Sequence, residues 1–83
     1  MALTLYSTPD CGNCGFLEHL LQRRGLLYTK VDVSEDGDQS ARKRLQELGF
    51  MGVPVMYDPA RDEYRYGVDV EWLPPAQPMP AAG

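Results

Sequence analysis

Cys11 and Cys14 are the only two cysteines in the chain, and Gly12 and Asn13 alone separate them. Disulfide exchange needs that arrangement: one thiolate attacks a disulfide sulfur, and a second thiol close behind displaces the resulting mixed disulfide. A loop this short does not cross-link distant parts of a fold, so the pair suits chemistry better than stabilisation. The competing reading is half of a metal site, which needs about four ligands. Besides carboxylates, only His19 remains to contribute one. Should a helix begin at Gly12 or Asn13, Cys11 stands at its N-terminal end. There the free backbone N–H groups and the helix dipole stabilise a thiolate and pull the pKa below the free value of about 8.5. Cys14 lies one turn further in, on the side that Leu17 continues, and is expected to be the more buried, protonated, resolving thiol. Gly12 removes a side chain from the approach route, and Asn13 adds a neutral donor. Asp10 either opposes the thiolate or satisfies helix-start donors; the sequence leaves both open.

The elements that must hold this pair can be read outward from it. Residues 2–7 alternate Leu3, Leu5 and Ser7 with Thr4 and Tyr6, a strand that Pro9 stops. Residues 13–24 repeat Cys14, Phe16, Leu17, Leu20 and Leu21 at helical spacing, and Gly25 supplies the cap. A second strand follows over 27–33. Asp38 or Ser40 then caps a helix with Ala41, Leu45 and Leu48 on one stripe, ended by Gly49. Residues 53–57 and 63–66 read as strands around a turn at 58–62, which makes a hairpin. Asp69 caps one expected helical turn through Val70 and Leu73, closed by Pro74 and Pro75. Strands separated by helices run parallel and the hairpin antiparallel, so the expectation is one α/β domain over 1–74. It has a mixed four-stranded sheet flanked by helices and a truncated C-terminal helix. Residues 75–83 read as a proline- and alanine-rich flexible tail. The cysteines fall where the first strand meets the first helix, at the sheet end where α/β folds expose their reactive groups.

Composition narrows the function. With 43% apolar and 24% charged residues the chain has the balance of a globular domain. A net charge of −4 argues against nucleic acid, and Arg42, Lys43 and Arg44 read as a solvated helix face. No apolar run approaches the roughly 18 residues of a membrane helix, and residues 1–6 lack the basic start of a secretory signal. A cytoplasmic monomer is the expectation.

Pro54 interrupts a strand-like run, so it either begins an edge strand or adopts a special geometry such as a cis bond beside Cys11. In the second case the backbone of Val53 is left free to pair with an extended partner segment. Together, STPDCGNC at residues 7–14 and LGFMGVPV at residues 48–55 resemble the glutaredoxin family, most of all its NrdH-type redoxins. The resemblance runs from Leu3 to about Leu73 and implies a thioredoxin-like fold. It implies Cys11 as nucleophile, Cys14 as resolving cysteine forming the redox disulfide, and a cis Pro54. Thr8, Gly12, Asn13, Val53 and Pro54 would form the partner groove, with Gly67, Val68 and Asp69 along its other side. Members that use glutathione carry a basic residue near the first cysteine and often Pro-Tyr between the two. Thr8 and Gly12-Asn13 here argue against glutathione. NrdH-type proteins draw electrons from thioredoxin reductase and pass them to ribonucleotide reductase, and no cofactor is required. Their Trp-Ser-Gly-Phe-Arg-Pro ending is replaced here by Tyr64-Arg65-Tyr66-Gly67-Val68-Asp69.

Other residues have plainer readings. His19 is expected at the surface, Phe16 in the core in preference to an exposed partner contact near the active edge, and Trp72 as a cover over the sheet. Tyr57, Tyr64 and Tyr66 are expected to pack across strands. Besides dithiol exchange, two further functions fit the sequence: a metal or iron–sulfur protein completing its ligands from two chains or from glutathione, and a non-catalytic docking module.

Overall fold

Leu3, Leu5 and Ser7 are buried and Thr4 and Tyr6 half-buried, so β1 (Leu3–Ser7) has one face fully covered and the other partly covered. The computed structural model describes residues 2–75, in which β1 is followed by α1 (Gly12–Arg23), β2 (Tyr28–Asp32), α2 (Gln39–Glu47), β3 (Val55–Asp58) and β4 (Glu63–Tyr66). The sheet order is β2-β1-β3-β4. β1 runs parallel to β2, antiparallel to β3, and β3 antiparallel to β4, as a strand–helix–strand unit followed by a hairpin requires.

The two faces of the sheet carry separate cores. Leu3, Leu5 and Met56 meet Leu17 and Leu21 of α1, with Leu26, Trp72 and Leu73 completing the cluster. On the opposite face Val55 meets Leu45 of α2 and Val33, with Tyr6, Phe50 and Tyr64 at the margin. Val55 and Met56 are neighbours in β3, so the period-two alternation of a strand sends one to each core. The caps follow the expected chemistry. The Asp38 carboxylate accepts the Ala41 N–H at 3.0 Å to start α2. Gly25, at φ 67°, ends the turn after α1 while the Leu26 N–H reaches the Leu21 carbonyl at 3.0 Å.

Several expectations shift. The third strand begins at Val55 rather than residue 53, leaving Val53 and Pro54 in the preceding loop. Leu48 is 46% exposed, outside the stripe of Ala41 and Leu45, because α2 ends at Glu47 and the chain turns away there. Phe16, expected in the core, is 58% exposed. The buried stripe of α1 is Cys14, Leu17 and Leu21, and Phe16 lies 100° around the helix from Leu17. His19 is exposed, Tyr57 pairs with Tyr64 across the hairpin with ring centroids 4.6 Å apart, and Trp72 is buried.

The C-terminal helix is truncated further than expected. Residues 70–72 form only a turn, with Asp69 accepting the Trp72 N–H at 3.2 Å. Two arginines hold this segment by its carbonyls. Arg24 donates to Val70 and Pro74, both at 3.2 Å, and Arg61 donates to Trp72 at 2.6 Å while its guanidinium lies 4.4 Å from the indole centroid. Apart from Pro75, the tail expected over 75–83 lies outside the described residues.

Asp58 anchors the hairpin that carries Arg61. It is 5% exposed, and its carboxylate accepts the Ala60 N–H at 2.9 Å and Arg61 Nε at 2.8 Å. Burial pushes its pKa up, but the bonds from Arg61 and Ala60 outweigh burial and hold the carboxyl below its ordinary range. A depressed folded-state pKa contributes stability that is present above the unfolded value of about 3.9 and lost as pH falls through the folded value. Asp58→Asn is therefore expected to cost on the order of 1 kcal/mol at neutral pH. Urea unfolding at pH 7 and near pH 2.5 checks it: the gap between the two proteins closes in acid, and a gap of equal size at both pH values refutes the linkage.

Candidate functional site

β1 delivers the chain through Thr8, Pro9 and Asp10 to Cys11, which is the N-cap of α1 with extended backbone at φ −98° and ψ 108°. A residue placed so points its side chain at the free N–H groups of the first turn. The Cys11 Sγ accepts the Cys14 N–H at 3.1 Å, and its carbonyl accepts the Gly15 N–H at 3.3 Å. The Cys11 N–H donates in turn to the Thr8 carbonyl at 3.3 Å, which folds the loop back on the strand. Cys11 and Cys14 are joined in a disulfide with Cα atoms 5.2 Å apart. Cys11 is partly exposed, whereas Cys14 is 3% exposed and heads the buried stripe of α1. Opening the disulfide leaves the outer sulfur facing a backbone donor at a helix N-terminus, the environment that favours a thiolate. A Cβ built on Gly12 meets nothing within 4 Å, so the approach past the pair is open.

Sheet register gathers the other candidate residues at this same end. Tyr6 stands opposite Val55; continuing that pairing sets Ser7 opposite Pro54 and Thr8 opposite Val53. Val55 stands opposite Tyr66, and the next step sets Pro54 opposite Gly67, whose N–H donates to the Pro54 carbonyl at 2.8 Å. The Val53–Pro54 peptide bond is cis. Gly67 adopts φ 85°, the left-handed conformation that turns the chain from β4 toward Val68. Val68 packs against the core under α1, and the Asp69 carboxylate is engaged by the Trp72 N–H and by Arg65 at 3.8 Å. Both residues are half-buried. Beside Thr8 and Val53 a pocket of about 330 Å³ continues toward α2 over Val33, Leu45 and Phe50, with Arg42 at its edge.

Three exposed apolar side chains belong to the surroundings of this site: Phe16, for which the sequence favours the core over a partner contact, and Met51 and Tyr66, which the sequence does not connect with it. Phe16 follows Cys14 by two residues, Met51 precedes Val53 by two and is 93% exposed, and Tyr66 directly precedes Gly67. A stripe taken strictly at positions 14, 17 and 21 would have left Phe16 outside the core. Met51 carried no periodic signal, since it stands in the loop between Gly49 and Gly52. Among the described residues, no group of three or more His, Cys, Asp or Glu side chains could hold a metal.

A sheet of order β2-β1-β3-β4 with a two-cysteine disulfide at the β1–α1 corner and a cis-proline loop alongside defines a thioredoxin-fold protein of thiol–disulfide exchange. The family model described as glutaredoxin matches residues 3–58, and the chain belongs to the glutaredoxin family. It is a thiol–disulfide oxidoreductase. Among solved structures it is similar to the thioredoxin-like protein BC3987, at 26% identity and TM-score 0.71 over 83% of this chain and 90% of that one. It is also similar to the glutaredoxin-like NrdH-redoxin from Escherichia coli, at 25% identity and TM-score 0.71 over 81% and 83%. A glutaredoxin from Archaeoglobus fulgidus, 21% identical with TM-score 0.66 over 86% and 80%, shares the fold. No curated protein matches by sequence.

Proposed function

We propose that the chain is an NrdH-like electron carrier that reduces disulfides in partner proteins. The observation that carries this reading is the division of labour at the β1–α1 corner: a reachable Cys11 sulfur facing a helix N-terminus, and a buried Cys14 behind it. The reduced Cys11 thiolate attacks one sulfur of the partner disulfide, forming a mixed disulfide and expelling the other partner sulfur, which takes up a proton. Cys14 then loses its proton and attacks the Cys11 sulfur. The Cys11–Cys14 disulfide forms, the second partner thiolate leaves, and two electrons have passed to the partner. No cofactor enters these steps. The free backbone of Val53 offers an extended partner segment a strand to pair with, and Thr8, Gly12 and Asn13 themselves add no charge to the approach.

The surroundings favour a protein over glutathione. Glutathione carries two carboxylates, yet the acidic Asp10 directly precedes Cys11, Gly12 and Asn13 are neutral, and the exposed neighbours Phe16, Met51 and Tyr66 are apolar or aromatic. The similar NrdH-redoxin is described as having a thioredoxin-like activity profile, which fits reduction by thioredoxin reductase. A ribonucleotide reductase disulfide is the partner we propose, in the cytoplasm, where an NADPH-driven reductase keeps the carrier reduced. The test is to reduce the oxidised protein with NADPH and thioredoxin reductase, and separately with glutathione and its reductase. Turnover at least about tenfold faster in the first system is expected. Equal or faster turnover with glutathione overturns the choice of reductant.

A further inference from the structure

Ser7 ends β1 and is 1% exposed, yet its hydroxyl has no hydrogen-bond partner while the Cys11–Cys14 disulfide is closed. Buried hydroxyls are rarely left so, because they give up water without replacing its hydrogen bonds. The position of this one is informative. Leu3, Leu5 and Ser7 share a face of β1, and the first two pack against Leu17 and Leu21 of α1. The buried row of the helix reads Cys14, Leu17, Leu21. The strand runs toward the start of α1 and the helix runs back over the strand, so the two rows are opposed: Leu3 and Leu5 lie along the leucines, while Ser7 and Cys14 close the same end of the interface. Both are almost fully buried, and Ser7 is the one polar side chain in its row.

We infer that Ser7 is a positioning residue for the resolving thiol, its hydroxyl bonding to the Cys14 sulfur once the disulfide opens. This deepens the exchange reading on which it rests. In the closed state the Cys14 sulfur is committed to Cys11, and Ser7 sits unpaired. Reduction breaks the sulfur–sulfur bond, adds two electrons and two protons, and frees a thiol or thiolate on Cys14 at the end of the interface that Ser7 closes. The bond then formed favours the reduced state and, above all, a thiolate on Cys14, which must form when the mixed disulfide is resolved. The sign is fixed: removing the hydroxyl relieves the oxidised form and deprives the reduced form.

The test sets wild type, Ser7→Ala and Ser7→Thr in dithiothreitol buffers of graded redox ratio. Ser7→Ala is expected to need about tenfold more reductant at its midpoint, equivalent to about 30 mV, while Ser7→Thr, which keeps a hydroxyl, stays near wild type. Urea unfolding of both redox forms separates this from a packing effect: oxidised Ser7→Ala is at least as stable as wild type, and only the reduced form loses stability. In the Cys11→Ser background, thiolate absorbance of Cys14 should titrate at higher pH when Ser7 is Ala. Midpoints within twofold of each other, or equal destabilisation of both forms, overturn the role of Ser7. Failure of wild type itself to titrate would instead overturn the exchange reading.

Discussion

Cys14→Ser is expected to accumulate a covalent adduct with a disulfide-bearing partner, visible as a reductant-sensitive band on a gel, whereas Cys11→Ser forms none. The partly exposed Cys11 sulfur can reach a partner, while Cys14, at 3% exposure under the first turn of α1, can reach only Cys11. With Cys14 replaced, the first exchange still occurs, but no internal thiol remains to release the partner. Dithiol turnover falls by about a hundredfold or more in either variant, because each removes a group the two-step exchange cannot replace. Only the trapping distinguishes the roles. Equal trapping by both variants would show that the inner sulfur is reachable and would undo the assignment. The helix N-terminus adds a second contrast. The Cys14 N–H that now meets the Cys11 sulfur at 3.1 Å is a backbone group, so it survives the Cys14→Ser replacement and keeps the attacking thiolate stabilised.

What could be read from the chain and what could not divide along a physical line. The β1–α1 corner was legible because its signals are local: alternation up to Ser7, a proline stop, and apolar residues at helical spacing from Cys14. The caps at Asp38 and Gly25 were equally local and stand where expected. The surroundings of the disulfide were less legible, since they depend on which sides of short elements the fold leaves open. Phe16 belongs to an apolar-rich helix whose covered stripe is too narrow to include it, and Met51 stands in a loop with no period to consult. Ser7 looked like one more strand residue; only the closed disulfide shows its hydroxyl to be unpaired. The C-terminal segment was the least legible. The bonds that hold it run from Arg24 to residues 46 and 50 positions away, and no local pattern encodes contacts at that separation.

That segment carries the second large expectation. Trp72 is the single tryptophan of the chain, 7% exposed, and with Leu73 it joins the core on the α1 side of the sheet, where the described residues form no third helix. Trp72→Ala is expected to cost about 3–5 kcal/mol, from lost burial and the cavity left beside Leu3, Leu5 and Met56. A domain this small has total stability toward the lower end of about 5–15 kcal/mol, so the loss takes the protein close to its unfolding threshold. The surrounding charges raise the stakes. Arg61 and Arg65 lie 4.4 Å and 5.7 Å from the indole centroid, and without the ring they lose a cation–π partner as well as a packing surface. Trp72→Phe separates these contributions. The phenyl ring keeps most of the apolar area and removes an indole N–H that is buried without a partner, so its cost is expected to stay below about 1.5 kcal/mol. Urea midpoints followed by far-ultraviolet circular dichroism measure both variants. If Trp72→Ala stays within about 1 kcal/mol of the parent, far short of a core truncation, then residues 70–74 are ornament and α1 alone covers that face. If the loss is as large as expected, the two arginine clamps and one indole cover a face that no third helix covers among the described residues.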